Sequence, residues 1–175
     1  QPEFTQIDIE TSFLDRDDFL PIMEGMVAET FRRVKGIELP VPFPKLGWAE
    51  ALDRYGSDKP DLRFGLELRD LSDLFRDGEF KAFSQVLAAG GAVKGLLAPA
   101  AGGMSRKELD DLTAEAKALG AQGLVWAKVA PDGFQSPVAR FLDPHRKRLL
   151  DRLGGREGDL LLLAGDVMPL VATVL

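Results

Sequence analysis

The sequence contains no cysteine and a single histidine, His145, among its 175 residues. A chain without cysteine forms no disulfides and offers no thiolate ligands to zinc, and one histidine is too few for most zinc sites or for a serine–histidine relay. These absences favour a reducing, cytoplasmic setting and predict no metal site.

Long apolar runs are also absent. The longest candidates, LLLLAG and the closing VMPLVATVL, are shorter than the roughly 18 residues that a membrane helix needs, so we expect no membrane span. The formal net charge of −6 argues against a surface that binds nucleic-acid phosphate all over, yet it leaves room for a local basic patch.

The composition, with 45% hydrophobic and 29% charged residues, is typical of a globular protein. Periodicity predicts helices over 15–35, ended by Gly36, and over 48–55, ended by Gly56. Farther on, SRKE predicts a capping box at Ser105 and Glu108. The pattern of the second half predicts an α+β domain with a mainly antiparallel sheet. Its predicted helices cover 106–119 and 144–153, and its predicted strands cover 80–86, 94–98, 123–129, 138–142 and 159–163.

A turn-prone connector, GSDKPDLRF, separates two parts of different texture. From Leu66 onward glycine and alanine become frequent and the predicted strands are shorter. We therefore predict two domains, residues 1–65 and 66–175. The last segment, DVMPLVATVL, predicts a helix that begins at Asp166 or Pro169 and packs on the sheet of the second domain.

The opening stretch QPEFTQIDIETSF alternates as a strand does. Its polar face would carry Gln6, Asp8 and Glu10, and its apolar face Ile7 and Ile9. Two interpretations stay open: the polar face is exposed to water, as in many antiparallel sheets, or it forms the floor of a polar ligand pocket.

A second candidate site is the basic run PHRKR, with Arg146, Lys147 and Arg148 and with Arg140 and Arg152 nearby. One interpretation is the solvated face of a helix, and the other is a contact with RNA.

Several segments together resemble one family of enzymes. QPEFTQIDIE resembles the end of motif 2 of class IIb aminoacyl-tRNA synthetases, and RYGSDKPDLRF is similar to a segment of the bacterial aspartyl enzymes. LTAEAKALGAQGLVWAKV and SPVARFL resemble the GAD insertion domain that these enzymes carry between motifs 2 and 3. The resemblance covers essentially the whole chain.

The resemblance implies that residues 1–65 are part of a class II catalytic domain, with its antiparallel sheet, and that residues 66–175 are a GAD-like insertion truncated at its C-terminal end. It places Gln1 at ATP and Asp8 at the substrate aspartate, with Gln6 and Glu10 as weaker candidates. The parent enzyme would use ATP with Mg²⁺, aspartate and tRNA, and would form a homodimer through a segment absent here. The catalytic arginines of the family lie in segments absent here too, so the chain alone is expected to be inactive.

Two other functions remain as alternatives. The chain could be a noncatalytic GAD-type module that contacts tRNA or braces the synthetase. A subunit of a tRNA-dependent amidotransferase also carries a GAD domain, but that assignment leaves QPEFTQIDIE and GSDKPDLR without an explanation.

Overall fold

The computed structural model describes residues 2–175, which form two compact units that divide between Lys45 and Leu46. The first unit is built on one helix, α1 (Arg16–Lys35). The Asp15 carboxylate caps this helix by accepting hydrogen bonds from the amides of Asp17 and Asp18, at 2.8 and 2.9 Å. Gly36 ends it with a φ of 67°, a left-handed conformation that favours glycine. The predicted helix is therefore confirmed.

The predicted opening strand is not present. Residues 2–15 contain neither strand nor helix, and all of them are exposed. A strand is stabilised by hydrogen bonds to a neighbouring strand, and the described residues of the first unit include no second strand to supply them. Helix α1 likewise has no buried residue. Its apolar stripe, which includes Ile22 and Val34, therefore forms no hydrophobic core within this unit.

The second unit, Leu46–Leu175, is named here the C-terminal domain. It contains a five-stranded sheet in the order β1-β2-β5-β3-β4, in which every neighbouring pair is antiparallel. The strands are β1 (Arg69–Asp70), β2 (Ala92–Ala98), β3 (Val125–Ala130), β4 (Gly133–Gln135) and β5 (Leu160–Asp166). This confirms the predicted α+β class with an antiparallel sheet.

Seven α-helices belong to this domain, and short 3₁₀ turns lie at Leu62–Phe64, Ala101–Gly103 and Asp143–His145. The helices are α2 (Trp48–Tyr55), α3 (Ser72–Phe75), α4 (Lys81–Ala88), α5 (Arg106–Ala118), α6 (Ala139–Leu142), α7 (Arg146–Leu153) and α8 (Met168–Val174).

One face of the sheet carries the main hydrophobic core. Alternate residues of the central strands point to this face and pack against α3, α4, α6 and α7. The cluster consists of Leu71, Leu74, Phe75, Phe83, Leu87, Val93, Ala127, Val129, Phe134, Leu142, Leu149, Leu161 and Leu163. Burial of this apolar surface is the main stabilising contribution to the domain.

The opposite face of the sheet includes a buried lysine. Lys94 is 1% exposed, and its ammonium group contacts the Asp53 carboxylate and donates to the Asp53 carbonyl at 2.6 Å. Both acceptors belong to α2, so this ion pair attaches α2 to the sheet. A buried ammonium group without such acceptors would be strongly destabilising.

Two segments predicted as strands are helices. Residues 80–86 lie largely in α4, where Phe80, Phe83 and Leu87 recur at intervals of three and four and so point to one side of a helix. Within residues 138–142, Ala139–Leu142 form α6, which follows a turn in which the Ser136 hydroxyl accepts from the amide of Val138 at 3.2 Å. Short apolar runs fit both periods, and packing on the core selected the helix.

The other elements follow the sequence closely. The capping box is present: the Ser105 amide donates to Glu108 at 2.6 Å, and the Glu108 amide donates to the Ser105 hydroxyl at 3.3 Å. This bond from the Ser105 amide lowers the pKa of the Glu108 carboxyl. A C-terminal helix is also present, as α8, and the burial of its Val171 confirms that the helix packs on the domain.

The predicted domain boundary between residues 65 and 66 stays a prediction. Helix α2 precedes that boundary and contacts the rest of the C-terminal domain at three points. Asp53 binds Lys94, the Arg54 carbonyl accepts from the Leu68 amide at 2.7 Å, and Gly56 lies against Ala172. These contacts make α2 an integral part of the packed domain.

We expect a chain that starts at Leu46 to unfold cooperatively, and a chain that starts at Leu66 to unfold cooperatively but at a lower temperature. The shorter chain lacks α2, and with it both the Asp53 partner of the Lys94 ammonium group and the packing of buried Ala51. Thermal unfolding followed by circular dichroism would compare the two. Equal midpoints would contradict the role of α2, and a broad transition of the shorter chain would contradict the boundary at residue 66.

Gly56 offers a separate test of the contact between α2 and α8. A Cβ atom at Gly56 would lie 2.8 Å from the Ala172 carbonyl oxygen, whereas one at Gly154, which has a similar positive φ, would meet no atom within 4 Å. Both alanine substitutions carry the cost of the left-handed backbone, but only Gly56→Ala adds a collision with backbone.

We expect Gly56→Ala to lower the free energy of unfolding by about 1–3 kcal/mol more than Gly154→Ala does. Urea titration of the two variants measures the difference. Equal losses in the two variants would show that α8 moves away at little cost.

Candidate functional site

The predicted aspartate-binding residues lie in the extended segment that precedes α1. The Gln6 side-chain amide donates to the Asp8 carboxylate at 2.6 Å, and both side chains are exposed, as is Glu10. The structure thus brings Gln6 and Asp8 together. Gln1, the predicted ATP contact, lies outside the described residues.

The predicted basic cluster at the start of α7 is engaged in contacts within the domain. Arg146 donates from Nη2 to the carbonyl of Ala130, and its guanidinium lies 5.9 Å from the centre of the Phe134 ring. Lys147 pairs with Asp151 one helical turn later. Arg148 donates from Nη2 to Asp73 at 2.9 Å. The three side chains therefore point in different directions.

Asp73 at the start of α3 is the acidic centre of this region. It also accepts hydrogen bonds from Arg152, which donates in addition to the Asp70 carbonyl at 3.0 Å. The Arg152 hydrogen bond is the largest cause that lowers the pKa of the Asp73 carboxyl. The basic residues Arg148 and Arg152 thus attach α7 to α3 and to β1.

A cleft that the sequence did not reveal lies beside this region. It has a volume of about 600 Å³ and is lined by Glu79, Phe80, Lys81, Ala82, Arg140 and Phe141. We name it the Phe141 cleft. The rings of Phe80 and Phe141 are stacked, with centres 4.9 Å apart and planes at 18°, and the Arg140 guanidinium lies 4.5 Å from the centre of the Phe141 ring.

The sequence contained one signal for this cleft, namely the adjacent pairs Phe80–Lys81 and Arg140–Phe141. Both pairs fell in segments predicted as strands, so nothing placed them side by side. Their proximity follows from the helices α4 and α6, which pack on the same face of the sheet.

Two further classes of site are absent from the described residues. Between residues 2 and 175, no three or more His, Cys, Asp or Glu side chains come together as metal ligands. Within the same range, no helix combines the length and the apolar character that crossing a membrane requires.

Comparison with known proteins places the chain in context. A sequence profile of the GAD domain matches residues 83–175, which is more than half of the chain. The chain is 49% identical to "Aspartate--tRNA(Asp/Asn) ligase" of Moorella thermoacetica, over 100% of its own length and 29% of the relative. It is 48% identical to "Aspartate--tRNA ligase" of Halalkalibacterium halodurans, over 95% of its length and 28% of the relative.

The match to a relative from Natranaerobius thermophilus, also an "Aspartate--tRNA(Asp/Asn) ligase", is 50% identical over 98% of this chain. The chain spans about three tenths of the length of these curated relatives. The α+β fold, the profile match and this similarity along the whole sequence lead to one conclusion: the chain belongs to the GAD domain family, in a sequence context similar to that of bacterial aspartate–tRNA ligases.

Proposed function

We propose that this chain is part of an aspartate–tRNA ligase, which activates aspartate with ATP to aspartyl-adenylate and transfers the aspartyl group to tRNA. The observation that carries the proposal is the similarity to such ligases along 95–100% of the chain at 44–50% identity. The rest of the ligase would supply the remaining catalytic groups, so the 175 residues alone are expected to be inactive.

In this proposal Asp8 contributes to the aspartate pocket. An ionised carboxylate can hold the substrate ammonium group or orient a lysine that binds the substrate carboxylate. The 2.6 Å hydrogen bond from Gln6 supports the assignment of Gln6 as the residue that positions Asp8. Glu10 follows two residues later and is the weaker candidate, and Gln1 would contact ATP.

ATP would bind together with Mg²⁺, a cation that prefers oxygen ligands. Among residues 2–175, no group of three potential metal ligands forms. We therefore assign no described residue to the ion and derive no catalytic step from it.

The partners of the ligase would be aspartate, ATP and tRNA, in the cytoplasm, and the ligase would be a homodimer through another of its segments. The relatives bear two printed names, one that specifies both aspartate and asparagine tRNA and one that specifies neither.

A noncatalytic role of the GAD domain is the second candidate function. It is favoured by the profile match to residues 83–175 and by the separate hydrophobic core of the C-terminal domain. In this role the domain would contact tRNA or brace the synthetase and would carry out no chemistry.

The first test is Asp8→Ala in the complete ligase. We expect the KM for aspartate to rise by roughly 10- to 100-fold, since removal of one partner of a charged hydrogen bond costs on the order of 1.5–3 kcal/mol. ATP–pyrophosphate exchange at varied aspartate concentrations measures this effect.

Glu3→Ala is the matched control, because it removes a carboxylate from the same exposed segment outside the Gln6–Asp8 hydrogen bond. It is expected to leave the KM unchanged. An unchanged KM for aspartate in Asp8→Ala would show that Asp8 lies on a solvated surface and not in the aspartate pocket. Equal effects of both substitutions would show that the loss of negative charge alone is responsible.

A further inference from the structure

The Phe141 cleft continues a column of aromatic rings that starts in the core. Phe75 contacts Phe83 with ring centres 5.1 Å apart, and Phe83 contacts Phe80 at 4.7 Å. Phe80 then stacks on Phe141. Because Phe75 and Phe83 are buried while Phe80 and Phe141 are partly exposed, the column provides the cleft with aromatic surface on a rigid base.

The cations of the cleft differ from those of the neighbouring basic cluster. Lys147, Arg148 and Arg152 all pair with carboxylates. Lys81 and Arg140 are exposed, and no described carboxylate lies within ion-pair distance of either. Glu79 also lines the cleft, so two cations and one carboxylate meet there.

An aromatic surface beside cations matches the chemistry of a nucleotide. Bases stack on aromatic rings and on guanidinium planes, and ammonium and guanidinium groups bind phosphate. A double helix buries its bases, so only an unpaired nucleotide would use both features. An acidic peptide would use the cations but would gain less from the rings.

We propose that the Phe141 cleft binds an unpaired nucleotide of RNA, with its base replacing the Arg140 guanidinium on the Phe141 ring and with Arg140 and Lys81 at the flanking phosphates. This inference rests on the proposed function, because tRNA is the RNA that the ligase would present to the cleft. It moves the RNA contact from Arg146, Lys147 and Arg148, which are held by carbonyl and carboxylate groups of the domain, to Lys81 and Arg140, which pair with no described carboxylate.

The direct test is binding of a fluorescein-labelled single-stranded RNA of mixed sequence to the 175-residue chain, measured by fluorescence anisotropy at several salt concentrations. We expect the double variant Lys81→Gln/Arg140→Gln to bind at least tenfold more weakly. The slope of log affinity against log salt should fall by about 1.4, which corresponds to two lost contacts with single-stranded phosphate.

The matched control is Lys107→Gln/Lys117→Gln. It removes the same charge from exposed lysines of α5, and we expect it to bind within about twofold of the unaltered chain. Phe141→Leu keeps an apolar side chain and both cations, so it should weaken binding by about fivefold or more without changing the salt slope. Melting curves verify that each variant is folded.

Four outcomes would overturn the inference. The first is equal weakening in the control, which indicates only overall charge, and the second is binding of duplex RNA as tight as that of single-stranded RNA. The third is unchanged binding in Phe141→Leu, and the fourth is a chain that binds no RNA at millimolar concentration.

The complete ligase separates this inference from the proposed function. Lys81→Gln/Arg140→Gln should raise the KM for tRNA in aminoacylation severalfold and leave ATP–pyrophosphate exchange unchanged. Absence of exchange in the unaltered enzyme would contradict the proposed function. Normal exchange together with an unchanged KM for tRNA would contradict the inference alone.

Discussion

Strand β5 is the constraint on which the C-terminal domain depends. All seven of its residues are aligned with β2 on one edge, and its first half is aligned with β3 on the other. Its residues Leu160, Leu161 and Leu163 are fully buried, which explains a continuous apolar run instead of alternation. Strand β5 is the last strand of the sheet in sequence, yet it lies between the pairs β1–β2 and β3–β4. These pairs can therefore join only when β5 pairs with both of them, so the central contacts are non-local.

The charged residues of the domain act mainly between elements. Lys94 attaches α2 to the sheet, and Asp73 attaches α3 to α7 through Arg148 and Arg152. Exposed ion pairs each contribute little to the free energy of unfolding. Lys94 differs because it is buried, so water cannot replace Asp53 as the partner of its ammonium group. The distribution of free positive charge on the surface is therefore different from the distribution of basic residues in the sequence.

Helix ends that depend on residues close in sequence could be predicted. Ser105 and Glu108 fixed the start of α5, and Gly36 and Gly56 fixed the ends of α1 and α2. The strand predicted for the opening segment is wrong. Alternation of polar and apolar residues shows which face of a strand would be buried, but it does not supply the second strand that the hydrogen bonds require.

For the candidate sites, the limit was long-range contact. The basic run was visible in the sequence, but Arg148 meets its partner Asp73 at a separation of 75 residues. The Phe141 cleft was missed for the same reason, since Phe80 and Phe141 come together only when α4 and α6 pack on one sheet. Asp8 and Gln6 are two residues apart, and for them the sequence alone indicated proximity.

The close approach of Gly56 to Ala172 has a consequence for the architecture of a larger protein. Gly56 lies early in the C-terminal domain and Ala172 late in it, so segments that are far apart in the sequence lie side by side. A domain of this kind can interrupt a surface loop of a host domain at a small cost in loop-closure entropy. The host elements on either side of that loop need not separate to accommodate more than a hundred additional residues.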